Sequence, residues 1–257
     1  MLHNKRVWIT GAGSGIGAEV ARQLAQRGAV PILTGRNEAK LQAAADTIGG
    51  RPAIYRLDVT DNAQVREVAD RIIAEHGGID VLLNNAGFGM FERFEDAPLE
   101  HFEAMMDTNY MGIVRCTQAV LPHMRKRGTG QIVNVASIAG KLGTPKSTGY
   151  SASKHAVLGL TNALRMELKG TGIAVSAVNP GPIDTPFFEK ADPGGSYVRN
   201  VRWFMMTPER VASEIVKVID KRKSEIDLPF TAAFGVKLVQ LFPTAANKLA
   251  GRLFDKK

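Results

Sequence analysis

Seven short apolar runs recur along the chain, and between them lie longer stretches whose apolar residues fall three and four apart. The runs are RVWIT (6–10), AVPILTG (29–35), AIYRLDV (53–59), DVLLNNAG (80–87), QIVNVAS (131–137), IAVSAVNPG (173–181) and EIDLP (225–229). Runs of this length and composition suit strands, whereas the three-four spacing over 16–28, 37–48, 61–77, 98–127, 150–170 and 208–221 suits helices. Alternation of this kind makes consecutive strands parallel, because each helix carries the chain back before the next strand begins. Near-continuous apolar strands such as DVLLN suit a sheet covered on both faces. The expected fold is α/β, a doubly wound parallel sheet of about seven strands with helices on both faces. Pro31 is awkward in a central strand but lies near the beginning of its run, where a missing donor is tolerable.

A chain of 257 residues, 44% hydrophobic, buries a sizeable core as a single domain. That domain is expected to occupy 1–230. Within it, 182–207 breaks the alternation with prolines, a Gly-Gly pair and several aromatic residues, which reads as a substrate lid. Residues 231–257 form a separate amphipathic tail. No run of 18 apolar residues exists and no signal segment opens the chain, so neither export nor a membrane span is expected, and the expected location is cytoplasmic. Cys116 is the lone cysteine, which rules out an intrachain disulfide and a thiolate metal site; no metal is expected. The net charge of +8 does not by itself imply nucleic acid, and no nucleic-acid partner is expected. The densest basic run, Lys221, Arg222 and Lys223, stands at a helix end, where cations suit the dipole.

TGAGSGIG, Thr10 to Gly17, leaves the first strand and opens the first helix. Glycines there permit a tight turn and close backbone approach, while the helix start offers unpaired amides to a pyrophosphate. The glycines at 11, 13, 15 and 17 give GxGxG, not the longer GxGxxG fingerprint, and any glycine-rich turn is the bland alternative. At the end of the second strand stands Arg36 after Gly35, with no carboxylate at the turn. An arginine there accepts a 2′-phosphate where an acid would hold a 2′-hydroxyl, which favours NADP(H), with NAD(H) still possible. A surface arginine is the alternative.

GYSASKHA, Gly149 to Ala156, places Tyr150 and Lys154 one helical turn apart on one face. A tyrosine that exchanges protons near neutrality needs a neighbour that stabilises phenolate, and a lysine supplies the charge. An exposed pair is the ordinary alternative. Ser137 ends the fifth strand, where open α/β sheets gather their ligand crevice, and its hydroxyl can hold a carbonyl oxygen; a turn or cap serine is the other reading. Asn109 is a poor helix former in MMDTNYMGIV and is expected to interrupt regular helical bonding, or else to be an exposed polar residue.

Taken jointly, TGAGSGIG, NNAG (84–87), Asn109, Ser137, Tyr150 with Lys154, and NPGPIDT (179–185) resemble the short-chain dehydrogenase/reductase family in order and spacing, over about residues 5–229. The resemblance implies a Rossmann-like fold and hydride transfer between a nicotinamide cofactor and a carbonyl or alcohol. In it, Tyr150 is the general acid or base, Lys154 lowers the tyrosine's pKa and binds the nicotinamide ribose, Ser137 orients the carbonyl, and Asn109 supports a water-linked relay through neighbouring backbone. The family's first loop has the form TGxxxGxG, which absorbs the short glycine spacing and carries Gly11, Gly13, Ser14, Gly15, Ile16 and Gly17 over as cofactor-binding positions. Asp58 and Val59 are expected at the adenine, Asn85, Ala86 and Gly87 along the cofactor, and Pro180, Ile183 and Thr185 at the nicotinamide amide. Arg36 resembles the pattern of NADP-preferring members. A homodimer or homotetramer through 98–127 and 150–170 is also implied. A nucleotide-sensing binding protein on the same fold is the alternative, and the complete Asn109, Ser137, Tyr150, Lys154 set speaks against it.

On the substrate side, Phe187, Phe188, Tyr197, Trp203, Phe204, Met205 and Met206 from the lid, with Phe88, Met90 and Phe91, suggest a lipophilic or bulky carbonyl substrate, about half of the lid residues serving only to pack it down. In the tail, Phe234, Leu238, Val239, Leu241 and Phe242, then Leu249, Leu253 and Phe254, suit packing on the body or a partner subunit, or peripheral membrane contact as a membrane-surface enzyme or scaffold. Ser151, Ala152 and Ser153 are expected to let their helix lie close to the cofactor.

Overall fold

A computed structural model describes residues 2–49 and 52–241. Seven strands, β1 (Arg6–Thr10), β2 (Val30–Gly35), β3 (Ala53–Arg56), β4 (Val81–Asn84), β5 (Gly130–Val135), β6 (Ile173–Pro180) and β7 (Glu225–Leu228), form one parallel sheet in the order β3-β2-β1-β4-β5-β6-β7. Helices α1 (Gly15–Ala25), α2 (Glu38–Asp46), α3 (Asn62–His76), α4 (Leu99–Met106), α5 (Gly112–Arg127), α6 (Thr148–Glu167), α7 (Phe187–Ala191), α8 (Ser196–Val201), α9 (Pro208–Lys221) and α10 (Phe230–Leu241) connect or follow the strands.

Alternate strand residues feed two cores. Val7, Ile9, Leu33, Leu83 and Val178 pack with Val20, Leu24, Val216 and Ile219 of α1 and α9. Trp8, Ile32, Leu82 and Ile132 pack on the other face with Val65, Ile72, Val120 and Leu164 of α3, α5 and α6. The strands are apolar throughout because both faces are covered. Cys116 sits inside the second core, unpaired, its thiol pushed up to about 12 by burial.

Pro31 is accommodated by position. Val30 donates to Lys5 O at 2.8 Å, and β3 pairing begins only at Ile32 with Ala53. Since successive strand amides point opposite ways, the donor that Pro31 lacks would face the β3 side before that strand starts. The basic run at the end of α9 is partly structural, because the Arg222 guanidinium donates to the Gly130 and Gly172 carbonyls, each at 2.7 Å.

Strand order reverses at β1, whose neighbours β2 and β4 lead to opposite faces. The helices reached from these strands therefore cover opposite faces, and a crevice opens between them at the strand C-terminal ends. Two local departures shape it. The expected helix over 98–127 is interrupted by a π turn at Asp107–Met111, centred on Asn109. The lid is not a plain loop, since it folds into α7, α8 and a 3₁₀ turn at Arg202–Phe204.

Candidate active site

The glycine loop lies directly against the β4 loop. Gly11 has φ +66°, and a Cβ there would stand 2.9 Å from Ala86 Cα. Asn85 Nδ2 donates to the carbonyls of Thr10 and Gly11 at 2.9 and 3.1 Å, while Thr10 Oγ1 accepts from the amides of Asn85 and Ala86, both at 3.0 Å. These bonds tie the two loops into one wall. Gly17 is buried behind that wall and is not among the residues that line the groove; a Cβ on it would lie 2.5 Å from Gly11 O and 2.7 Å from Asn85 Nδ2. Ser14 begins α1 without a side-chain cap, leaving first-turn amides to an incoming group.

In front of this wall is a groove of about 1040 Å³ lined by Gly11, Gly13, Ser14, Gly15 and Ile16, by Asp58 and Val59, and by Asn85, Ala86 and Gly87. Its size, its glycine floor and its uncapped helix start fit a dinucleotide with its pyrophosphate on α1. Arg36 lines one end, joined there by Lys40 and Arg56, which the sequence reading passed over. The strand-end rule would have found Arg56, which ends β3 in register with Gly35. One Asp58 carboxylate oxygen is occupied locally, accepting from Thr60 N and Oγ1 at 3.0 and 2.8 Å.

Beyond Gly87 the groove continues into a second cavity of about 190 Å³, and Ile16, Asn85, Gly87, Thr185 and Phe187 border both. Ser137, Tyr150 and Lys154 line it, as do Pro180 and Ile183, which stand here and not in the long groove. Ser137 Oγ donates to Pro180 O at 3.2 Å and accepts from Ala139 N at 3.1 Å, so this serine is also the turn cap of the alternative reading. Lys154 is buried and donates from Nζ to Val135 O at 2.9 Å, with its ammonium 5.8 Å from the Tyr150 ring centre. Enclosure pushes the Tyr150 hydroxyl up to about 12, with Ser137 pulling it partly back. Burial pushes Lys154 down to about 8. The expected lowering of the tyrosine's pKa by the lysine is thus not a property of the protein alone, where desolvation dominates both groups.

Asn109 lines neither cavity, and it is wholly buried. Its Oδ1 accepts from Phe88 N at 2.9 Å, and its Nδ2 donates to Phe88 O at 2.8 Å and Ser153 Oγ at 3.0 Å. The side chain clamps the backbone after NNAG, and the interruption of helical bonding appears as the π turn. Ser151 and Ser153 are likewise turned into packing, Ser151 against Ser147 and Ser153 against Asn109, while Ala152 is exposed. The small size of the two serines serves helix packing.

Phe91, Phe187, Phe188 and Tyr197 wall the second cavity. The Tyr150 ring lies 5.6 Å from Phe187 and 5.9 Å from Phe91, and Phe91 meets Tyr197 at 4.8 Å. The other aromatic and methionine residues of the lid do not reach it. Trp203 is 85% exposed against Phe204, and Met206 is buried in the core, where it bridges Ile183. Phe204, Met205 and Met90 line neither cavity, and Phe88 lines the groove. Ile138, Leu142, Thr144 and Ser147, from the loop after β5, complete the lining and carried no periodic signal. In the tail, α10 packs on β7 and buries Val236, with Val239 half-buried and Leu241 exposed. The side chains of Phe234 and Leu238, and Phe242, Leu249, Leu253 and Phe254 altogether, lie outside the described residues. Among the described residues no helix is long and apolar enough to cross a membrane, and no cluster of metal-ligating side chains occurs.

Residues 5–194 match the family model described as short chain dehydrogenase. A 3-oxoacyl-[acyl-carrier-protein] reductase of Thermotoga maritima is 40% identical over 192 residues, covering 74% of this chain and 78% of that protein. Among solved structures, a closed serine dehydrogenase complexed with NADP+ superposes with a TM-score of 0.81 at 32% identity, over 88% of this chain and 95% of that one. A short-chain dehydrogenase/reductase of Burkholderia phymatum in complex with NAD gives 0.88 at 27% identity, over 97% and 96%.

Proposed function

The chain belongs to the short-chain dehydrogenase family of oxidoreductases, and we propose that it reduces a neutral, apolar ketone or aldehyde with NADPH, or runs the reverse alcohol oxidation. The observation that carries this reading is the meeting of Tyr150, Ser137 and Lys154 in an apolar cavity that opens onto the glycine-floored groove. A nicotinamide held in the groove would supply the hydride that the carbonyl carbon takes up. Tyr150 then delivers its phenolic proton to the carbonyl oxygen. Ser137, seated on Pro180 O, hydrogen-bonds that oxygen and sets its direction. Lys154, fixed by Val135 O, places positive charge beneath the ring as phenolate develops. Asn109 keeps the Phe88 backbone in place, so that Gly87 lies where the groove meets the cavity.

NADP(H) is favoured because Arg36, Lys40 and Arg56 surround the far end of the groove. The serine dehydrogenase acts, by its name, on an amino acid, and such a substrate suits this cavity poorly. Lys154 is the one charged lining residue among the described residues, and it is held by a carbonyl. At about 190 Å³ the cavity holds a small apolar carbonyl compound, and a bulky one requires Phe187 or Phe188 to turn aside. Exposed Met106, Met111 and Met166 on the helical faces at 98–127 and 150–170 support self-association there.

A steady-state screen of ketones, aldehydes and alcohols with NADPH and NADH tests the proposal. Turnover of small apolar carbonyls with NADPH ahead of NADH is expected. Turnover confined to charged or hydrophilic substrates would remove the substrate class, and tight nucleotide binding without turnover would leave a sensor.

A further inference from the structure

Helix α7 borders both cavities at once. Phe187 and Phe188 face the catalytic cavity, and two residues later Lys190 lines the long groove together with Arg36, Lys40 and Arg56. Lys190 Nζ stands 3.8 Å over the Phe88 ring centre. The backbone that carries the ring is fixed, because Asn109 holds both the amide and the carbonyl of Phe88. Lys190 therefore enters from the lid the same groove that Arg36 enters from the end of β2.

Like charges gathered in one cleft repel unless an anion enters between them. Burial first, and then the Arg36 charge, hold the Lys190 ammonium below its usual range. Glu38, Asp58 and Glu189 also face this groove, yet among the described residues none of them pairs with Lys190 or Arg36. A cation-π contact accounts for the ammonium resting on Phe88 but leaves the repulsion with Arg36 unrelieved.

We propose that Lys190 is a phosphate-binding residue carried by the lid, which takes a phosphate of the dinucleotide in the groove it shares with Arg36 and thereby seats the Phe187–Phe188 wall beside Tyr150. The inference rests on the cofactor reading above and adds a link between the two cavities. Filling the groove draws Lys190 inward. Phe187 is three residues away on the same short helix, with its ring 5.6 Å from that of Tyr150, so the catalytic wall moves with it. Lys190 is then a cofactor-binding residue and, toward the carbonyl substrate, a positioning residue.

The test is fluorescence titration of the full chain and of Lys190→Gln and Lys190→Arg with NADPH, NADH, 2′,5′-ADP and ADP, with steady-state kinetics alongside. Lys190→Gln is expected to weaken NADPH binding about tenfold, an effect that shrinks with added salt, and Lys190→Arg is expected to restore it. Loss confined to NADPH and 2′,5′-ADP identifies the 2′-phosphate, whereas equal loss for NADH and ADP identifies the pyrophosphate; either supports the proposal. The carbonyl KM is expected to rise in Lys190→Gln even at saturating cofactor, with kcat changed less. Unchanged binding in Lys190→Gln, or equal weakening in Gln and Arg variants, would overturn the assignment while the cofactor reading stands. Failure of the wild-type chain to bind either nicotinamide cofactor would overturn that reading itself, and the inference with it.

Discussion

Lys154 lies beneath Tyr150 with its ammonium 5.8 Å from the ring centre, and it donates to the Val135 carbonyl, an atom of the neighbouring strand. In the proposed mechanism the lysine acts on the phenol through space. Because burial holds it at about 8, its charge is lost within an accessible pH range. The reductive kcat is expected to fall above about pH 8 as that charge disappears. In Lys154→Arg the cation persists at high pH, so the falling limb should move to higher pH even if the maximal rate drops. A pH–rate profile unchanged between the two proteins would exclude the lysine as its source.

Tyr150→Phe removes one hydroxyl and keeps the ring that packs on Phe91 and Phe187. Turnover should fall by about 10²–10⁴-fold, the usual worth of a positioned proton donor. NADPH affinity should stay within about twofold, since the ring and the groove are untouched. Single-turnover kinetics with cofactor titration separates the two effects, and near-normal turnover would reassign the proton donor.

Arg36→Asp replaces the cation at the end of β2 with the carboxylate that suits a ribose hydroxyl. The ratio of kcat/KM for NADPH over NADH should drop about a hundredfold, as expected when a charged hydrogen bond to phosphate becomes repulsion. An unchanged ratio would shift the discriminating role to Lys40 or Arg56, which line the same end of the groove.

Away from the site, Asp80 accepts from Arg6 N, Nε and Nη2 and from Arg127 Nη2 at 2.8–3.0 Å. Burial by itself would raise its pKa, but these bonds outweigh it and hold the carboxyl far below the ordinary range. A depressed folded-state pKa stabilises the fold above the unfolded value near 4, and that stabilisation is lost as pH falls toward the folded value. Asp80→Asn should therefore lose about 1–3 kcal/mol at pH 7, discounted for the partly exposed arginines. The gap from wild type should narrow between pH 4 and pH 2 in urea unfolding. A pH-independent gap would assign the effect to packing.

The parallel sheet and its two-sided core were readable because burial on both faces writes near-continuous apolar strands, and helical spacing marks what lies between; the order of the strands was not. The starts and ends of β1 and α9, Arg6–Thr10 and Pro208–Lys221, coincide with the expected bounds. The loop positions of Ser137 and the glycines followed from the rule that ligands gather at strand C-terminal ends. Asn109 was half legible. Its misfit with helical propensity marked the π turn, but nothing local says that its amide turns inward to Phe88 and Ser153.

The sequence by itself determined the parallel sheet, the glycine cradle and the pairing of Tyr150 with Lys154, because each is a matter of spacing along one or two adjoining elements. Only the tertiary structure decided which lid residues reach the chemistry. Phe187 and Trp203 are equally aromatic and stand in the same irregular segment, yet one packs on Tyr150 and the other is 85% exposed. The tertiary structure also brought Lys190 into the same groove as Arg36, 154 residues away in the chain. Periodicity records which face of an element is buried. It carries no information about where two distant elements meet, and that meeting determines both the cavity walls and the electrostatics of the groove.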